Sequence, residues 1–129
     1  QSNDNPVFYV QYGYARIASV LRNAAAADVD AARAGDALGA LTHESEIALA
    51  RRLAELPRVV ANVAEHLAPH RLARYARDVA ADFHQFYSGQ KILVENRDER
   101  IARLGLCLAT KTVLARVLSL VGVSAPESM

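Results

Sequence analysis

Val7, Val10, Tyr14, Ile17, Leu21 and Ala24 follow one another at alternating steps of three and four residues. That spacing lays one continuous apolar stripe along a helix of about six turns, and it fits neither face of a strand. Asn5 and Pro6 mark its start. An asparagine side chain can cap the first amides, and proline suits the first helical position because its missing N–H would be unpaired there anyway. Gly13 lies mid-helix, where it costs about 1 kcal/mol against alanine or lets a neighbour approach closely.

The same rhythm recurs along the chain. After a connector over 28–41 with Asp28, Asp30, Gly35, Asp36 and Gly39, a second helix starts near Thr42. Glu44 and Glu46 stand in its first turn, where the helix dipole favours anions. Ile47, Leu49, Ala50, Leu53 and Leu56 form its expected buried side. Pro57 closes it and opens a third helix bearing Val59, Val60, Val63 and Leu67. Pro69 opens a fourth, with Leu72, Ala76, Val79, Phe83 and Phe86 inward and Arg71, Arg74 and Arg77 on a neighbouring face; Gly89 stops it. A short apolar link, 91–94, leads to a fifth helix from Asp98 or Glu99. Its inward residues are Ile101, Leu104, Leu108, Ala115, Leu118 and Val121, and Gly122 ends it. No segment reads as a strand and no repeat is visible. The expected fold is an all-α bundle of about five main helices.

Composition agrees. Of 129 residues 52% are hydrophobic but only 6% aromatic, so the apolar share falls to alanine and leucine, both good helix formers. A chain of this length buries roughly two-thirds of the surface its unfolded form exposes, and needs neither disulfide nor metal to fold. The net charge of +1 excludes a histone-like binder. Its distribution is uneven: residues 1–50 hold three Arg and six acids, whereas residues 51–129 hold twelve Lys or Arg and eight acids. Arginine outnumbers lysine 13 to 2. Arginine makes forked contacts to phosphates and stacks on bases, although a solvated helical surface has the same composition.

No catalytic constellation is present. The six glycines are scattered rather than gathered into a phosphate loop. His66 and His70 have a zinc-ligand spacing, but Pro69 interrupts their shared face and no cysteine stands near, so capping or solvent-facing histidines are the expectation. Cys107, the single cysteine, sits among Leu106, Leu108 and Ala109 and is expected to pack as a small apolar residue. Ser19 and Ser88 have no nucleophile context. No signal peptide is visible and no apolar run approaches ~18 residues, so a soluble, cytoplasmic protein is expected. The chain begins at Gln1 rather than Met, as a piece of a longer protein would.

The aromatics stand out instead. Tyr9, Tyr12 and Tyr14 crowd the first helix, and Phe83, Phe86 and Tyr87 the end of the fourth. Tyr12 and Arg16, four apart, share a face away from the apolar stripe. Tyrosine beside arginine suits base stacking. Tyr14 and Phe86 lie on the apolar stripes and read as core; for Tyr12 and Tyr87 core and stacking readings both stand.

The run Asn5-Pro6-Val7-Phe8-Tyr9-Val10-Gln11-Tyr12-Gly13-Tyr14-Ala15-Arg16-Ile17 resembles the signature of arginyl-tRNA synthetases where the catalytic domain passes into the anticodon-binding bundle. Two later blocks are similar to that family as well. One is Pro69-His70-Arg71-Leu72-Ala73-Arg74-Tyr75 with Ala80-Ala81-Asp82-Phe83-His84-Gln85-Phe86-Tyr87. The other is Ala102-Arg103-Leu104, followed by Val113-Leu114 and the ending Gly122-Val123-Ser124-Ala125-Pro126-Glu127-Ser128-Met129. Gly13 replaces the family's usual alanine, and the class I catalytic signatures are absent.

The resemblance implies that residues 1–129 form a DALR-type tRNA anticodon-binding domain, a non-catalytic fragment of a longer ligase. Its partners would be arginine tRNA and its own N-terminal catalytic domain, not DNA or a membrane. The full-length enzyme would use ATP, with magnesium, and L-arginine; the fragment itself would hold no cofactor or metal. The resemblance also implies a pocket of Tyr12, Arg16, Phe83, Tyr87 and Met129 for the flipped middle base of the anticodon. Arginine codons all carry G in the middle, so their anticodons share a central C, and one pocket serves every isoacceptor. Single-stranded loops are read in this way, by splaying bases onto aromatic faces. Two alternatives remain at this point: the helical anticodon domain of another class I synthetase, and a helical protein-interaction module without RNA binding.

Overall fold

In the computed structural model, residues 6–122 are described together with Ala125 and Glu127, with Pro6 described by its backbone alone. The expected cap Asn5 and the expected pocket residue Met129 lie outside the described residues. Helix α1 runs Pro6–Asn23, α2 Ala26–Arg33, α3 Glu44–Ala54, α4 Leu56–His66, α5 Pro69–Gly89 and α6 Arg97–Leu120. The described residues hold no strand. The five main helices stand where the periodicity puts them. The connector differs: Ala26–Arg33 is helical and Leu38–Ala40 makes a 3₁₀ turn. Its small alanines let α2 lie close against α6, where Ala32 is buried. That packing outweighs the turn-forming aspartates.

Helices α5 and α6 form the central pair. Helix α1 packs on both, α3 on both from another side, α2 on α6, and α4 on α5. In α5, Val79, Phe83 and Phe86 are fully buried. In α6 burial extends well beyond one stripe: Ile101, Leu104, Cys107, Leu114 and Val117 have no exposure. A helix surrounded by others is apolar on most faces. Cys107 packs as a small apolar residue, and burial pushes its thiol up to about 12.

Two sequence expectations are corrected. Ile47 is exposed, and the buried residue at that end of α3 is Glu46, at 1%. Its Oε1 accepts from the amides of Thr42 and His43, closing a capping box, while its Oε2 accepts from Arg103 Nε at 2.7 Å. An acid with that many donors is satisfied inside, and the isoleucine beside it turns outward. Leu67 is also exposed, at 87%. It ends α4 in the left-handed conformation with φ of 48°, which lets the chain turn before Pro69 opens α5 and aims the leucine away from the bundle.

Candidate nucleic-acid interface

The fold aligns α1 with the C-terminal half of α5. Gly13 sits against Ala80 and His84, and the next turn of α1 carries Arg16 toward Tyr87. Tyr12 and Arg16 from the first motif block and Tyr87 from the second therefore meet on one surface. The Arg16 guanidinium lies 4.8 Å from the centre of the Tyr12 ring and 4.5 Å from that of Tyr87. Its Nη2 donates to the Tyr12 hydroxyl at 2.6 Å. Tyr12 and Tyr87 are 40% and 37% exposed, so part of each side chain reaches solvent. Neither ring is plain core.

Phe83 is placed differently. It has no exposure, and its ring centre is 5.8 Å from that of Tyr87. It backs Tyr87 rather than lining the surface. Tyr14 and Phe86 are core, as their stripe positions predict.

Two hollows flank the Tyr12–Arg16 pair. One, of about 290 Å³, is bordered by Tyr12, Arg16, Ser19, Arg22, Asn23 and Tyr87. The other, about 530 Å³, is lined by Phe8, Tyr9, Tyr12, Arg16 and His84. The first is at the low end of the ~300–1,000 Å³ typical of ligand pockets. A guanidinium has five N–H donors; the bonds of Arg16 to Tyr12 and His84 account for two of them.

Sequence reasoning missed four participants. Arg22 borders the first hollow and donates to the backbone carbonyl of Glu127 at 2.9 Å, so the tail returns to the rim of the site. Ser19 and Asn23 complete the border. A signal for these was present: Tyr12, Arg16, Ser19 and Asn23 recur at steps of four, three and four, a polar stripe on the helix whose apolar stripe drew attention first. His84 is the fourth. Its ring packs against Tyr9, Tyr12 and Phe83, and its Nδ1 lies 3.4 Å from Arg16 Nη1. Burial, and then the charge of Arg16, hold its pKa below the ordinary imidazole value.

The other histidines serve as expected: His43 caps α3, and His66 and His70 are exposed. Among the described residues no helix is long and apolar enough to cross a membrane.

Comparison with known proteins gives this surface its context. The family described as DALR anticodon binding domain matches residues 10–129. The chain is 47% identical over 129 residues to the arginine–tRNA ligase of Bordetella petrii, covering all of this chain and 23% of that protein. It is 46% identical over 134 residues to the arginine–tRNA ligase of Heliobacterium modesticaldum, covering all of this chain and 24% of that one. Its fold superposes on Thermus thermophilus arginyl-tRNA synthetase with a TM-score of 0.83 at 31% identity, over 99% of this chain and 22% of that one. The Plasmodium falciparum arginyl-tRNA synthetase gives 0.81 at 30% identity, over 95% of this chain and 21% of the other. The chain thus spans about a quarter of the length of the curated relatives it matches. Motif order, helical architecture and these likenesses agree: the chain belongs to the DALR anticodon binding domain family, in the form found in arginyl-tRNA synthetases.

Proposed function

We propose that this chain, as the anticodon-binding domain of an arginine–tRNA ligase, holds arginine tRNA and reads the central C of its anticodon. The observation that carries the reading is Arg16, clamped between the rings of Tyr12 and Tyr87 at the edge of a hollow. In that hollow a flipped cytosine packs against the exposed part of the tyrosine rings, and the spare N–H groups of Arg16 meet its O2 and N3 acceptors. Uracil carries N3–H where cytosine has an acceptor, so the same donors reject it. Phe83 supports the Tyr87 ring from behind. Met129, which lies outside the described residues, joins the proposed pocket on the family resemblance, and Glu127 two positions before it is tied to Arg22 at the rim. The catalytic domain of the full-length enzyme then attaches arginine at the far end of the tRNA, consuming ATP with magnesium.

The test is aminoacylation by the full-length enzyme of arginine tRNA and of the same tRNA with the central C changed to U. The substituted tRNA is expected to lose at least tenfold in kcat/KM, a difference of about 1.4 kcal/mol. Equal kcat/KM for the two would sink the reading. For the domain alone, phosphate contacts make binding fall steeply with salt. A protein-interaction module would instead show no tRNA affinity at moderate salt.

A further inference from the structure

We infer that His84 is a positioning residue for anticodon reading: its Nδ1 accepts from Arg16 and fixes the plane of the guanidinium that meets the base. The inference rests on the cytosine pocket proposed above and names a residue that lies outside it. His84 lines the hollow behind the Tyr12–Arg16 pair, not the one bordered by Tyr87.

The chemistry of the pair sets the tautomer. Arginine has only donors, so the contact between Arg16 Nη1 and His84 Nδ1 at 3.4 Å requires an unprotonated Nδ1. The proton then sits on Nε2. That atom is buried and has no hydrogen-bond partner among the described residues. It faces Gly13 of α1, where an added Cβ would lie 3.6 Å away. A phenyl ring would pack against Tyr9, Tyr12 and Phe83 as the imidazole does, and would avoid the unpaired N–H. What an imidazole has here and a phenyl lacks is the Nδ1 acceptor, and that acceptor is turned to Arg16. The lowered pKa of His84 agrees, since the neutral ring is the one that accepts.

Two bonds in different directions hold a planar group better than one. The Tyr12 hydroxyl takes Nη2 at 2.6 Å and His84 takes Nη1. Without His84 the guanidinium can rotate about its link to Tyr12, and its free N–H groups no longer present a fixed fork.

The experiment compares kcat/KM of the full-length enzyme for arginine tRNA and for the central C-to-U tRNA, in four variants with the melting temperature of each. His84→Phe is expected to melt near the parent and to lose roughly tenfold in discrimination between the tRNAs, the scale of one hydrogen bond to a charged group. His84→Asn, which returns an acceptor at the δ position, is expected to recover most of that loss. In an Arg16→Ala background, His84→Phe is expected to add nothing. Should His84→Phe unfold the protein, His84→Leu takes its place in the same comparison. Parent-like discrimination in a folded His84→Phe or His84→Leu variant overturns the inference while leaving the pocket intact. So does a loss of the same size that persists without Arg16. If Arg16→Ala alone leaves discrimination unchanged, both the inference and the pocket fall.

Discussion

The phenol of Tyr14 donates to the carboxylate of Glu127 at 2.9 Å, joining residues 113 positions apart in sequence. Lys111 Nζ stands 3.5 Å from the same carboxylate, and Arg22 holds the Glu127 carbonyl at 2.9 Å. Ala125 packs against the core two residues earlier. Glu127 is therefore fastened to α1 and α6 beside the hollow. The bond from Tyr14 holds the Glu127 carboxyl below its ordinary value, with Lys111 and Arg22 adding to it and burial opposing. Burial and the neighbouring carboxylate raise Tyr14 in turn.

Tyr14→Phe should free the tail without unfolding the bundle, because the ring stays in the core. Because the Glu127 carboxyl is depressed when docked, its contribution is complete above the ordinary glutamate value and is lost as pH falls through the docked value. The backbone order of Glu127, read by NMR relaxation, should therefore fall in acid for the parent, and the fall should begin at higher pH in Tyr14→Phe. Identical profiles in the two proteins would show that other contacts hold Glu127.

Glu46→Ala should be among the most damaging single changes in the domain. It strips the cap from Thr42 and His43 and leaves the buried Arg103 with only the half-exposed Glu99 among the described residues to balance its charge. Removing one partner of a buried ion pair costs about 3–5 kcal/mol, read as a lower urea midpoint. Burial pushes the Glu46 carboxyl up, but the bonds from His43, Arg103 and Thr42 outweigh it and the net shift is down. The stability it confers is thus complete above the unfolded glutamate value and vanishes as pH falls through the folded one. Glu46→Ala should flatten that part of the acid limb of a stability–pH curve; an unflattened limb would assign it to other carboxylates.

Periodicity made the five long helices and the stripe of α5 legible, because apolar spacing and burial are the same constraint read twice. It failed where a polar residue belonged inside. Glu46 and Arg103 satisfy one another only across 57 positions, and no local pattern announces such a pair. Ile47 was then the natural wrong choice. The site divided in the same way. Tyr12 and Arg16 are four apart and could be paired by inspection, but Tyr87 and His84 join them only through the packing of α1 on α5. The motif resemblance bridged that gap for Tyr87. His84 lay in the same block, yet its role depends on a ring orientation that sequence does not carry.

Gly13→Ala should stabilise the domain. The sequence left open whether glycine serves close approach, and the geometry decides against need. An added Cβ would sit 3.6 Å from His84 Nε2, 3.7 Å from Ala80 Cβ and 3.9 Å from Leu114 Cδ1, all ordinary contacts. Alanine gains about 1 kcal/mol in helix propensity, a rise of roughly 4 °C in melting temperature for a domain of this size. A lower melting temperature would mean that α1 and α5 approach more closely than those distances allow.

Tyr87→Ala separates stacking from structure most directly. The ring is partly exposed, its back rests on Phe83, and its face carries Arg16 at 4.5 Å. Truncation removes one wall of the hollow and one side of the clamp on Arg16, while Phe83 stays anchored among Phe86 and the core of α5. Base–aromatic stacking contributes about 1–3 kcal/mol by alanine substitution, so binding of arginine tRNA should weaken roughly 5- to 150-fold. Tyr87→Phe keeps the ring and should bind near parent strength, which distinguishes a stacking face from a hydroxyl contact. Filter binding or fluorescence titration of both variants against the parent measures this. A folded Tyr87→Ala variant that binds as tightly as the parent would remove Tyr87 from the pocket and leave Tyr12 as the only stacking face on offer beside Arg16.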